Sequence, residues 1–418
     1  MTGPSILKMA WRNLWRQKRR TVLTLISIAF GGFLAVIMTA MQDRSFADFI
    51  DNAAKFGAGH VTIQHPEYRD MPTLTRSVTV SEEERAATAA DEDVIKVVDR
   101  TAGQAMVSTA SDSFGAMFIA YDPEHEDSST MEFTEGLTAG RLFESASDDG
   151  IILGKTLAKN LDAELGDKVV FTLTDRTGQI VSGMERVSGL IATGSMSTDA
   201  ALVLLPIDTV RDVIGYDPTE TTQVAVFLGD GRRSVQVAQR LRNSQGDGHA
   251  ILTWDELQPE IKAFVAMKVG GGRVFEVVIG ILVAAGIFNT ILMSVLERTR
   301  EFGIMLAIGY SPGQLFAMVM AESSFLAAMG LVLSILVTAG PYYYLSSTGI
   351  DMGEIMLEQG MESFDIGGVG MDTVLRIGIF PENALVIAIA IVVATIGAGI
   401  YPAWKAGRVD PVTSINLV

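Results

Sequence analysis

Four long apolar stretches limit what this chain can fold into: Thr21–Met41, Val274–Leu296, Leu315–Gly340 and Ala384–Trp404. Each has 21 residues or more, and about 20 residues at 1.5 Å each cross a hydrocarbon core of about 30 Å. Such runs exceed what a soluble core helix needs, so the chain reads as a membrane protein with four spans. Six Lys and Arg and no acidic residue lie in positions 1–20. Basic flanks stay on the cytoplasmic side. The spans then place 42–273 outside, 297–313 inside, 341–383 outside and 405–418 inside. The first run is too long for a signal-peptide core and is followed by no small-x-small cleavage site, so it reads as an uncleaved anchor.

Charge supports this division. Residues 43–272 hold 37 Asp and Glu against 20 Lys and Arg, which accounts for the whole net charge of −17. So acidic a domain excludes nucleic acid as a partner. The sequence has no cysteine, which excludes disulfides, thiolate metal sites and a cysteine nucleophile. The 42–273 region reads as a large exported α+β domain. FGAMFIAYD, KVVFTLTD, RVSGLIA, ALVLLP and TQVAVFLGD have strand composition between Gly, Asp and Pro breaks. Ser81 with Glu84 predicts a capping box, opening a helical pattern over 81–99. Residues 234–244 read as a helix, as do 251–269, which lead into the membrane. Gly270–Gly272 predicts a hinge before re-entry. The 341–383 connection holds a possible short helix at 353–362 and the pair Gly367-Gly368.

Residues 5–20 predict an amphipathic helix in the headgroup plane. Leu7, Trp11 and Leu14 form its apolar stripe, and Lys8, Arg12, Arg16 and Arg19 lie off it. Within the spans, the polar residues Asn289 and Glu322 stand out. A carboxylate in a membrane helix is costly. Glu322 is therefore paired, within reach of the surface, or functional, and pairing with the charged stretch 297–301 is the favoured reading. Met38, Met41, Phe46 and Phe49 follow the first span, and Phe264, Met267 and Phe275 precede or open the second. Flexible Met beside aromatic rings suits an adaptable apolar contact with a substrate, or ordinary lipid packing.

Enzyme motifs fail on spacing. GIILGKT has three residues between its glycines where a phosphate loop needs four, and HEDSS lacks the second His of a zinc-protease helix. His60 and His65 fall on opposite faces of a strand, against a shared metal. The acidic run 122–127 reads as a solvated loop. No catalytic residue and no metal site is predicted.

Between the second and third spans lies NTILMSVLERTREFGIMLAIGYSPGQ, residues 289–314. With WRNLWRQKRRTVLT, IILGKTLAKNLDAELGDKV and PAWKAGRVDPV, it resembles the FtsX/MacB-type ABC-transporter permeases. GHVTIQHPEYRD and TGSMSTDAALVLLP are most similar to the lipoprotein-releasing LolC/LolE branch. The resemblance implies a non-catalytic subunit with no cofactor of its own, ATP and Mg being bound by a cytosolic ABC ATPase dimer. It implies a second identical or homologous permease, surrounding lipid, and a periplasmic lipoprotein carrier or adaptor. It implies that Glu297–Ile308 is a coupling helix moved by the ATPase. Glu297, Arg298, Arg300, Glu301, Ile304 and Ala307 would form its contact surface. Gly303 would set its bend and Gly309 its end. The function implied is periplasmic work, foremost lipoprotein release from the inner membrane. MacB-like efflux and FtsX-like signalling are alternatives within the family, and a membrane-anchored sensor without ATPase is one outside it.

Overall fold

A computed structural model describes residues 3–245, 248–352, 365–366, 369–370 and 374–409. The expected helix at 353–362 and the pair Gly367-Gly368 lie outside the described residues. The chain divides into two units. One comprises 1–45, 267–351 and 374–418, and the other 46–266 and 352–373.

The helices in chain order are α1 (Gly3–Arg16), α2 (Lys18–Phe56), α3 (Glu82–Ala89), α4 (Lys155–Asn160), α5 (Met196–Asp199), α6 (Ile207–Ile214), α7 (Ser234–Gln245), α8 (Trp254–Leu257), α9 (Pro259–Glu297), α10 (Thr299–Ala307), α11 (Pro312–Ser347) and α12 (Pro381–Ala406). Four of them, α2, α9, α11 and α12, are long and apolar enough to cross a membrane. The helix starts follow local chemistry. At α11, Ser311 Oγ accepts from Gln314 N at 3.3 Å and Gln314 Oε1 accepts from Ser311 N at 2.9 Å, with Pro312 at the first helical position. Ser81 and Glu84 make the same reciprocal box at α3.

Gly270–Gly272 is not a hinge, because α9 runs through it without interruption. Glycine costs a helix only about 1 kcal/mol relative to alanine. Here it has a packing use, since a Cβ on Gly272 would fall 1.8 Å from Gln42 Oε1 of α2. The predicted helix over 251–269 is likewise divided. Ala250–Thr253 is a strand, a four-residue helix follows, and α9 begins at Pro259.

The second unit is built on one mixed sheet. Its strands are β1 (Val61–Gln64), β2 (Val78–Thr79), β3 (Val94–Ser108), β4 (Ser113–Tyr121), β5 (Leu137–Gly140), β6 (Gly150–Gly154), β7 (Lys168–Thr174), β8 (Ile180–Ile191), β9 (Leu202–Pro206), β10 (Glu220–Thr221), β11 (Gln223–Leu228) and β12 (Ala250–Thr253). The sheet order is β12-β1-β11-β3-β4-β9-β6-β8-β5, with β7 pairing both β3 and β8, while β2 and β10 form a separate ladder. The long β3 joins two cores. Val61, Ile63, Val226, Val237 and Leu241 fill one, and Phe118, Leu153, Leu157, Phe171 and Val203 fill the other. The glycine-rich stretch at 150–156 is β6 running directly into α4. Gly154 is glycine because a Cβ there would lie 2.3 Å from the Asp199 carbonyl oxygen.

Arg100, at the middle of β3, is 1% exposed. Its Nε donates to Glu126 Oε1 at 2.9 Å and its Nη2 to Glu126 Oε2 at 2.5 Å. Nη2 also donates to the Thr130 carbonyl at 2.7 Å, and Nη1 donates to the carbonyl of Gly57. The loop 122–127 is therefore only partly solvated: Glu126 anchors it in the core. His60 is also internal. Its Nδ1 accepts from Leu228 N at 3.1 Å, which leaves Nε2 to donate to Asp51 at 3.0 Å. Among the described residues no group of three or more His, Cys, Asp or Glu is placed to hold a metal.

Breaking a buried pair by removing one charge costs about 3–5 kcal/mol, whereas replacing both by apolar residues is close to neutral. Glu126→Gln is expected to lower stability by about that amount. Arg100→Leu combined with Glu126→Leu should recover most of the loss, as read by thermal unfolding. On the surface, the Lys96 hydrogen bond, aided by Ser129, holds the Asp127 carboxyl down at about 2. A depressed carboxylate contributes stability that is complete above its unfolded value of about 4 and disappears as pH falls through its folded value. Lys96→Ala should therefore lower the melting temperature at neutral pH, with the difference from wild type vanishing near pH 2.

Candidate functional site

The charged stretch between α9 and α11 folds into a short helix, α10, flanked by two breaks. The first break is at Arg298, with φ −98° and ψ 10°. The expected bend at Gly303 is thereby corrected: α10 passes straight through Gly303, which is buried. The second break is at Gly309, whose φ of +101° is open to glycine and strained for other residues.

Arg298 turns inward and is 9% exposed. Its Nη1 donates to both oxygens of Glu322, each at 3.0 Å. Asn13 Nδ2 of α1 donates to Glu322 Oε1 at 3.0 Å. The guanidinium Nε reaches Glu301 Oε2 at 3.2 Å and its plane lies over the Phe302 ring, 5.1 Å from the centroid. Glu301 is shared with Arg16 at 2.7 Å. Beside this group, Arg20 Nη1 pairs with Glu297 at 2.6 Å and its Nη2 donates to the Thr290 carbonyl at 2.6 Å. The intramembrane carboxylate thus meets two donor side chains, Asn13 from α1 and Arg298 from the break before α10, which is how a buried charge becomes tolerable.

These polar contacts stand on an apolar base of Ala10, Leu14, Ile291, Val295, Phe302, Leu315, Met318 and Ala403. The amphipathic α1 is not free in the headgroup plane, because Ala10 and Leu14 pack in this core. Its predicted stripe is displaced: Leu7 and Trp11 remain exposed, and Trp11 meets Phe325 of α11 edge-on at 5.3 Å. A cavity of about 150 Å³ lies among Asn13, Arg20, Arg298, Glu301 and Glu322.

The outward face of α10 is different in character. Arg300, Ile304, Ala307 and Ile308 are exposed, Ile308 to 71%. At spacings of three and four residues they share one side of the helix. Of the six residues expected to make a contact surface, Arg298 is internal, Glu301 is held by two arginines, and Glu297 is exposed but paired. Arg300, Ile304 and Ala307 are open. Ile308 joins them, a residue named from the sequence only as the last of the coupling helix. Asn289 on α9 is exposed and has no hydrogen-bond partner among the described residues.

The Met and Phe residues named as substrate contacts divide as well. Met38, Met41, Phe46 and Phe49 lie along α2, and Phe264, Met267 and Phe275 along α9. Phe49 is buried against Phe264 with ring centroids 5.4 Å apart. Met38, Met267 and Phe275 are exposed.

If the Arg298–Glu322 pair holds α10 in place, Arg298→Ala leaves an uncompensated carboxylate and should cost about 3–5 kcal/mol. Arg298→Ala with Glu322→Gln should be milder than Arg298→Ala alone. Folded yield and thermal stability in detergent measure both.

Comparison with known proteins gives matches along nearly the whole chain. Residues 21–244 match the MacB-like periplasmic core domain, and residues 273–411 match the FtsX-like permease C-terminal region. A lipoprotein-releasing system transmembrane protein LolC of Xylella fastidiosa is 23% identical over 72% of this chain and 73% of its own length. A pyoverdine export ATP-binding/permease protein PvdT of Pseudomonas aeruginosa is 23% identical over 98% of this chain, which spans only 58% of that relative. The crystal structure of the periplasmic region of MacB from Actinobacillus actinomycetemcomitans aligns with 51% of this chain and 97% of that one, at 16% identity and a TM-score of 0.34.

Proposed function

Because the chain belongs to the FtsX/MacB-type family of ABC-transporter permeases, we propose that it transmits work from a cytosolic ATPase dimer to its periplasmic domain, and that the work is release of lipid-modified protein from the inner membrane. The family role is that of a multi-pass inner-membrane permease subunit. ATP and Mg belong to the ATPase. One observation carries the coupling part of the proposal: α10 presents an open face of Arg300, Ile304, Ala307 and Ile308 while its opposite side is fastened to α1 and α11 through Arg298, Glu301 and Glu322. A cation among exposed aliphatic side chains suits a protein partner, and a fastened helix passes a push onward instead of yielding to it.

The push would reach the periplasmic domain along α2 and α9. Each is a single helix of 39 residues that continues past its apolar stretch into the chain of that domain. The exposed Met38, Met267 and Phe275 would then meet the acyl part of a substrate in the outer leaflet, before transfer to a periplasmic carrier or adaptor. A second permease, identical or homologous, would find in Asn289 an exposed amide at the cytoplasmic end of the spans, beside Arg19, Arg20 and Glu297.

A second reading is export of a small molecule from the periplasm, favoured by the match of a pyoverdine export protein over 98% of this chain. The two readings share the α10 contact and differ in cargo. Purification from native membranes in mild detergent, with identification of bound proteins and an ATPase assay, separates them. A co-purified ATPase with a lipid-modified protein supports release, and an ATPase with an outer-membrane channel supports export. Absence of any ATPase would favour a sensor and overturn both. Arg300→Glu combined with Ile304→Asp should leave insertion intact and reduce ATPase recovery at least about tenfold, the effect of removing roughly 1.4 kcal/mol of contact energy. Unchanged recovery would remove α10 as the contact.

A further inference from the structure

At the cytoplasmic corner of the membrane unit, a groove of about 760 Å³ opens between the α1–α2 junction and the last turns of α9. Four cations line it, Arg16, Lys18, Arg19 and Arg20, against one acid, Glu297. Two of the four are spent within the protein: Arg16 holds Glu301 at 2.7 Å and Arg20 holds Glu297 at 2.6 Å. Lys18 and Arg19 are exposed, and their side chains have no ion pair or hydrogen bond among the described residues. With Glu297 neutralised by Arg20, two positive charges are left open in the groove.

Beyond these charges the groove turns aliphatic. Leu23, 63% exposed, follows Lys18 and Arg19 along α2 by about one turn, and Met293, 52% exposed, precedes Glu297 along α9 by about one turn. Because α2 begins and α9 ends at this corner, both steps lead away from the cytoplasm. One turn rises about 5.4 Å. The polar layer of one leaflet is about 5–7 Å deep, half the difference between a whole bilayer of about 40–45 Å and its hydrocarbon core of about 30 Å. The step from open cation to exposed aliphatic side chain therefore matches the step from phosphate to acyl chain in a lipid. A soluble anion would use the cations and leave Leu23 and Met293 facing nothing that suits them. A zwitterionic lipid would bring its own cation up to Lys18 and Arg19.

We propose that this groove binds one anionic phospholipid of the cytoplasmic leaflet, its phosphate between Lys18 and Arg19 and its first acyl carbons along Leu23 and Met293. The volume lies within the ~300–1,000 Å³ range of ligand sites. Basic clusters between membrane helices on the cytoplasmic side suit such headgroups. Setting the topology needs only the summed charge of the leader, in which its six bases are equivalent. The groove makes Lys18 and Arg19 different from Lys8 and Arg12, which lie outside it. Asn289, at the inner end of the groove, takes no part, so the proposal does not need the second permease. A lipid held here joins the start of α2 to the end of α9 beside the Arg20–Glu297 pair, one residue before Arg298, and makes the setting of α10 sensitive to the anionic lipid present.

The test places the full chain in phosphatidylcholine liposomes with a trace of either phosphatidylglycerol or phosphatidylethanolamine, acyl-matched and carrying a diazirine near the ester end of one chain. Crosslinks are mapped by mass spectrometry after illumination. Phosphatidylglycerol is expected to label 22–27 and 289–293 at least roughly tenfold more than phosphatidylethanolamine, since each open cation is worth about fivefold. Lys18→Gln with Arg19→Gln should remove that preference, and Lys18→Arg with Arg19→Lys should keep it. Arg12→Gln, outside the groove, should leave it unchanged. If protease accessibility shows that the double Gln variant inserts the wrong way, Met293→Trp replaces it; by filling the aliphatic end it should abolish labelling at 22–27. Excess glycerol phosphate should displace no more lipid than sodium chloride of equal ionic strength. The proposal is overturned if the two lipids label equally, if Arg12→Gln lowers labelling as much as the double Gln variant, if glycerol phosphate displaces the lipid, or if labelling is absent because a protein chain covers the groove. Failure of the ATPase co-purification would leave these results unaffected, so the two proposals fail separately.

Discussion

A carboxylate one-third of the way along a membrane helix sets the terms for the rest of the membrane unit. Glu322 lies in α11 and is 8% exposed. Charge in such a place must be matched by donors close at hand. The matching draws in Arg298 from the break before α10 and Asn13 from α1, each at 3.0 Å. Arg298 then carries Glu301, and Glu301 carries Arg16. Three separate stretches of chain are thus pinned to one atom group. The apolar packing of Leu14, Val295, Phe302 and Met318 around it supplies attraction without direction. The ion pairs supply the direction, since they permit one orientation of α10 and turn its Arg300 side outward.

The same logic operates in the periplasmic domain. Arg100 and Glu126 are both almost fully buried, and the guanidinium also collects the carbonyls of Thr130 and Gly57. Gly57 immediately follows α2 and Thr130 closes the acidic loop, so one side chain ties the end of a long helix and a loop to the central strand β3. Apolar residues could fill that space with equal stability. They would not specify which helix end and which loop meet the strand.

Much of this was legible in the sequence, because long-range order here rests on simple patterns. Span-length apolar runs, the basic leader and strands bounded by Gly, Asp and Pro all survive in the structure as four long helices and a mixed sheet. The capping box at Ser81 is local chemistry and was readable for that reason. Three features were hidden. Strand β3 begins inside a stretch with helical composition, where pairing with β11 and β4 overrides local preference. Gly270–Gly272 resembles a break, yet glycine costs a helix only about 1 kcal/mol each and α9 continues through all three, with Gln42 packed where a Cβ of Gly272 would be. Arg298 and Arg300 stand two apart in an equally charged setting, and nothing in the order ERTRE says which one turns inward. That choice is made by Glu322, 24 residues away in the chain. The exposed Ile308 was overlooked for a related reason, since an apolar residue in an apolar turn carries no sign of facing outward.

The distribution of exposed and paired residues along α10 bears on what kind of device this is. A helix that served only to anchor the chain on lipid headgroups would spend its arginines on the outside and bury its aliphatic residues. Here Arg298 is internal while Ile304 and Ile308 are exposed at one side with a single cation, Arg300. Exposed aliphatic side chains next to a charge gain nothing from water and are better matched by the surface of another protein. The internal side meanwhile is held by ion pairs that join it to α1 and α11, so their geometry is kept only if those helices move with it. A contact made on the outer side therefore has two outcomes available to it, rupture of a buried charge group or common motion of the helices. The cost of exposing Glu322 without Arg298 makes common motion the cheaper of the two.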